Sequence, residues 1–146
     1  MKREDLVSPC GLYCGVCGIY QAGMNNDTGL RDKLAKAYGL QVEEVACKGC
    51  KSDMVFKFCR ICKIRTCAME KNYEGCYQCT DFPCDKIDSF PIPEGKQNIY
   101  RAVSEWKRLG TEEWIESEEA LFSCLKCGNL LFRGAHKCRK CGSVKE

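Results

Sequence analysis

Four cysteines near the end of the chain stand in two pairs, Cys124-x2-Cys127 and Cys138-x2-Cys141, with ten residues between the pairs. A two-residue spacer directs both sulfurs of a pair at one ion, and four thiolates suit a tetrahedral metal. Each second cysteine precedes a glycine, Gly128 or Gly142. Glycine reaches φ > 0 without penalty, which lets the chain turn so tightly that backbone N–H groups point at sulfur. Zinc is the expected occupant, with iron as the alternative. Leu130, Leu131 and Phe132 are expected to form a strand between the turns, which makes residues 122–146 a zinc ribbon. His136 is the only histidine, and it stands beside a set already complete at four cysteines.

The other eleven cysteines lie within residues 1–94: Cys10, Cys14, Cys17, Cys47, Cys50, Cys59, Cys62, Cys67, Cys76, Cys79 and Cys84. Cys10, Cys14 and Cys17 are each followed by glycine, which points to the same tight turns. Their C-x3-C-x2-C spacing matches the iron–sulfur motif of radical-SAM enzymes, but those enzymes need a large α/β barrel that 146 residues do not supply. Further along, Cys59-x2-Cys62-x4-Cys67 recurs as Cys76-x2-Cys79-x4-Cys84, each cysteine displaced by seventeen residues. Cys47-x2-Cys50 precedes the first copy by twelve. Pairs at such intervals can wrap two or more metals, with lone cysteines completing the shells. The ferredoxin run C-x2-C-x2-C-x3-C-P is absent, which weakens the case for a [4Fe–4S] centre without closing it, because cluster ligands need not be contiguous. Eleven thiols fill two four-ligand sites and leave three over. Those three either form a site with an open coordination position, as catalytic zinc has, or are bridging or buried thiols that pack as small hydrophobes. Which cysteines share a metal does not follow from spacing.

These thiols need elements to hold them. Leu30, Leu34, Ala37 and Tyr38 recur on one face of a helix over residues 28–38, with Asp27 or Thr28 to cap it and Gly39 to end it. A short helix is expected over residues 85–89. The two prolines of PIP at 91–93 close the cysteine-rich region. Ile99, Val103, Trp106 and Leu109 mark a second helix face that ends at Gly110. Thr111 can cap a third helix with Glu112 and Glu113 in its first turn, where acidic residues suit the positive end of the dipole. Trp114, Ile115 and Leu121 or Phe122 are its expected buried side. The remainder is too rich in cysteine, glycine and charge to show long elements. The expected fold is a small, irregular α+β structure in three parts: a cysteine-rich multi-metal core at 1–94, a helical hairpin at 95–121 and the zinc ribbon at 122–146.

Composition narrows the setting. The opening MKREDLVSPC has no apolar run, so no signal peptide is expected, and no stretch approaches the ~18 apolar residues that span a bilayer. A cytoplasmic protein is expected, and in that compartment dense CxxC pairs read as metal ligands and not as disulfides. The formal net charge is +3. A divalent ion held by four thiolates carries about −2, because ligands deprotonate to bind, so three such sites would reverse that sign. The many basic residues, among them Lys48, Lys51, Lys57, Arg60, Lys63, Arg65, Lys126, Arg133 and Arg139, therefore either offset anionic metal centres or contact nucleic acid.

The segments CGLYCGVCGIY at 10–20, CKGC at 47–50, FCRICKIRTCAMEKNYEGCYQCTDFPC at 58–84 and PIPEGK at 91–96 resemble the domain of unknown function 3795 of anaerobic bacteria and archaea. The hairpin RAVSEWKRLGTEEWIE and the terminal CxxCG pairs are similar to longer members, so the resemblance spans nearly the whole chain. It implies a shared cysteine core with the positions above as ligands, and no assigned biochemistry. Three functions stand open. The first is a multi-zinc structural or interaction module with a protein or nucleic-acid partner and no membrane. The second is an iron–sulfur redox or cluster-handling protein of an anaerobe. The third is an enzyme with a three-cysteine open metal site. Conventional catalytic residues are sparse, Asp81 beside the FPC segment being one acid among many.

Overall fold

The structure is a computed structural model and describes residues 2–145. Its elements are helical: α1 (Gly18–Met24), α2 (Thr28–Tyr38), α3 (Lys63–Glu70), α4 (Asp85–Asp88), α5 (Pro93–Leu109) and α6 (Thr111–Leu121). Short 3₁₀ turns over Arg3–Leu6, Cys14–Val16, Val42–Glu44, Lys57–Cys59 and Cys76–Gln78 join them. Among the described residues, no helix is long and apolar enough to cross a membrane.

The expected α+β fold is therefore corrected to an all-helical one. Strand pairing among the described residues is limited to two isolated antiparallel bridges, Ser123 with Leu130 and Lys137 with Val144. The zinc ribbon is corrected with it, because its β-hairpin does not form. Leu130–Phe132 have no strand beside them to extend a ladder. Leu131 N–H bonds the Phe122 carbonyl at 2.8 Å, and Arg133 N–H leaves the segment altogether to bond the Val16 carbonyl at 2.6 Å. A turn then follows, closed by Ala135 N–H on the Phe132 carbonyl at 3.0 Å.

Helix α5 is the spine. Pro93 opens it at the first turn, where its missing N–H costs nothing. Ile99, Ala102, Val103 and Trp106 fall at i, i+3, i+4 and i+7 and are buried as one face. Gly110 turns the chain into α6, whose Trp114 stacks on Trp106 with centroids 4.2 Å apart and planes 6° from parallel. Glu118, buried on α6, receives both guanidinium arms of Arg101, at 2.7 and 3.1 Å. Thr111 does not cap α6 but accepts the Trp106 indole N–H at 2.9 Å.

Helix α2 has the expected bounds. Asp27 accepts the Leu30 N–H at 3.0 Å and Gly39 ends the helix at φ 68. Its buried side is turned from expectation: Leu30 and Ala35 are buried while Ala37 and Tyr38 are exposed. The reason is a neighbour distant in sequence, since Ala35 packs with Ile19, Val45 and Phe56.

Candidate metal centres

All fifteen cysteines are free thiols. Five of their six CxxC pairs fold in one of two ways. In the pairs Cys14/Cys17, Cys59/Cys62 and Cys76/Cys79, the second N–H bonds the first carbonyl, at 3.0, 3.2 and 3.1 Å. These are 3₁₀ turns, in which the side chains at i and i+3 eclipse and leave from one side. The tight turn expected after every early cysteine occurs at Gly11, with φ 86, while Gly15 and Gly18 have no positive φ. In the Cys47/Cys50 and Cys138/Cys141 pairs a backbone N–H points at sulfur instead: Gly49 N–H to Cys47 Sγ at 3.3 Å and Cys141 N–H to Cys138 Sγ at 3.5 Å.

The C-terminal set closes to single-ion size. Gly128 and Gly142 have φ of 78 and 80, and their N–H groups return to the carbonyls of Cys124 and Cys138. Cys124 Sγ lies 3.6 Å from Cys141 Sγ, and Cys127 Sγ 3.6 Å from Cys138 Sγ. All four sulfurs lie within 4.8 Å of one another. Tetrahedral zinc with Zn–S bonds of ~2.3 Å places its sulfurs about 3.8 Å apart, so the donor set fits one such ion. Four sulfurs this close compete for protons. Hydrogen bonds from Ser143 hold the Cys141 thiol down to about 6. At Cys127 the Asn129 backbone N–H pulls downward, but burial and the neighbouring sulfurs outweigh it and push the thiol up to about 11. The set is anchored to the N-terminal region. Gln21 donates to the Gly15 and Leu131 carbonyls at 3.0 and 3.1 Å, the Arg133 guanidinium donates to the Tyr13 carbonyl at 2.9 Å, and Arg139 pairs with Asp27.

Among the described residues, no other three cysteine, histidine or acidic side chains bring ligand atoms within that range of one another. The eleven N-terminal thiols nevertheless lie near one another. Cys67, Cys76, Cys79 and Cys84 line a cavity of about 100 Å³ between α3 and α4. Cys10 neighbours Cys14, Cys50, Cys62 and Cys76. Burial pushes Cys10, Cys14 and Cys50 up, the last to about 12, and at Cys10 it outweighs the downward pull of the Ser8 hydroxyl. Cys17 and Cys47 pack on the cluster of Ile19, Val45 and Phe56, and both act on Cys59, which burial raises to about 12. Asp81 lines the α3–α4 cavity beside these cysteines. Sequence reasoning missed α1 and α3. The signal for α3 was Ile64 and Ala68 at i and i+4, both buried.

A family model described as "Protein of unknown function (DUF3795)" matches residues 6–89. The expected resemblance over nearly the whole chain, ribbon included, is thus corrected: α5, α6 and the four C-terminal cysteines lie beyond the matched residues. No curated protein and no solved structure matches.

Proposed function

The chain belongs to the DUF3795 family, and we propose that it is an iron–sulfur protein of a reducing compartment whose C-terminal four cysteines hold one further ion, zinc. The contrast in sulfur packing carries this reading. Where one ion suffices, the sulfurs close to 3.6 Å. In the matched segment the thiols gather around shared space without closing to that distance. Tetrahedral sulfur ligation suits zinc or iron–sulfur, and the wider spacing in the matched segment supports the iron–sulfur reading there. Burial that raises Cys14, Cys50 and Cys76 keeps these thiols protonated until a cation replaces the proton.

An iron–sulfur cluster, when bound, supplies one-electron redox chemistry at a potential set by burial and by hydrogen bonds to its sulfurs. The chain's own contribution is to hold the thiols, wall them with apolar side chains and offset their charge. A second reading, a centre with an open ligand position, is favoured by Cys17, Cys47 and Cys59, three neighbouring thiols outside the α3–α4 cavity.

The test is elemental. Protein purified without oxygen is assayed for iron, zinc and acid-labile sulfide, and its visible spectrum is recorded before and after dithionite. Iron with sulfide and a brown colour that bleaches are expected. Several zinc ions per chain, with no iron or sulfide taken up on anaerobic loading, would leave a multi-zinc module in place of this reading.

A further inference from the structure

We propose that Cys67, Cys76, Cys79 and Cys84 together hold one iron–sulfur cluster in the cavity between α3 and α4. The inference rests on the iron–sulfur reading above and gives it a site.

The cavity decides for a cluster over an ion. A space of about 10–15 Å³ holds one water-sized sphere. This cavity measures about 100 Å³. A lone zinc would draw its sulfurs to about 3.8 Å of one another, the condition that the C-terminal set meets. The four cysteines of this cavity stand back around a space that takes several atoms, and a polynuclear core held by four thiolates has that form.

The chain path supports the same grouping. Cys67 belongs to the first copy of the C-x2-C-x4-C repeat, yet it joins the three cysteines of the second. It sits on α3, whose Ile64 and Ala68 are 5% and 3% exposed and also line the cavity. Cys76 and Cys79 are the two ends of a 3₁₀ turn, and Cys84 is the residue from which α4 starts. Three separate segments each present thiols to one space, and backbone hydrogen bonds hold each segment. Ile87, fully buried, adds to the apolar wall. Apolar walls control solvent access and local dielectric around a metal site. On the open side Lys71 Nζ lies 3.9 Å from Cys79 Sγ, where its charge offsets the anionic thiolates.

The full chain, purified without oxygen and loaded with ferrous iron and sulfide, is compared with its Cys79→Ser/Cys84→Ser variant. The variant is expected to lose iron and acid-labile sulfide in a one-to-one ratio, as a cluster does, and to keep the C-terminal ion. Iron and sulfide at the unmodified level in the variant overturn the site while leaving the chain an iron–sulfur protein. No iron or sulfide in the unmodified chain overturns both readings. Loss of one zinc without sulfide makes the site mononuclear and overturns the proposal. Lys71→Met changes an exposed side chain and gives a readout independent of folding. Iron content is expected to hold, while the midpoint potential of one cluster moves lower, because a nearby cation no longer favours the added electron. Unchanged potentials overturn the placement beside Cys79.

Discussion

Five of the six cysteine pairs at x2 spacing adopt one of two backbones, told apart by their hydrogen bonds. Where the second N–H goes to the first carbonyl, as at Cys76/Cys79, the sulfurs receive no backbone donor from the turn. Where an N–H goes to sulfur, as at Cys138, the thiolate is stabilised before any metal arrives, and Cys138 is accordingly held below its ordinary range. Cys127 is the opposite case, held up to about 11, so at neutral pH the C-terminal set keeps a proton that a metal must expel. Zinc affinity at this set is therefore expected to rise as pH rises from about 6 to 8, because deprotonation is part of binding. Competition titrations against a chelator of known affinity across that range check it. An affinity flat with pH would mean that all four sulfurs are already thiolates.

At the scale of elements, local punctuation was legible and facing partners were not. The Asp27 cap and Gly39 delimit α2, and Gly110 ends α5, from sequence alone; the start of α5 at Pro93 lies inside the segment read as a closing turn. The buried side of α2 was not legible, because it is set by Val45 and Phe56 arriving from a later segment. Close approach governs the turn that carries Cys76. A Cβ on Gly75 would lie 2.4 Å from the Trp106 ring, and that ring is fixed against Trp114. Gly75→Ala is expected to destabilise the fold by about 1–3 kcal/mol, the usual cost of overpacking a filled core. Denaturant unfolding followed by tryptophan fluorescence measures it. A change within error would show that the Trp106–Trp114 stack yields at little cost.

For the whole molecule, the two ends of the chain are tied by polar contacts more than by a shared sheet. Gln21, Arg133 and the Asp27–Arg139 pair join the C-terminal segment to the region of α1 and α2. The small cluster of Leu131, Ala135, Cys124 and Cys138 is the segment's own core. So little buried surface makes it depend on the ion proposed for it; structural zinc contributes on the order of 10 kcal/mol in zinc-finger peptides. Removing that ion with a strong chelator is expected to strip hydrogen-exchange protection from residues 122–145 while α5 and α6 keep theirs. Equal loss in α5 and α6 would show that the ion supports the whole fold and not this segment.

The sequence by itself determined the chemistry and the local breaks. Six CxxC pairs and three further cysteines offer thiolate ligands, and the Asp27 cap, Gly39 and Gly110 mark both limits of α2 and the end of α5. Tertiary structure alone decided which thiols share a space, because Cys67 reaches Cys84 through the packing of α3 on α4 and not through spacing. It also decided that the C-terminal segment is not a hairpin. A strand needs a backbone partner along its length, and here the Arg133 N–H finds its partner in Val16, more than a hundred residues away.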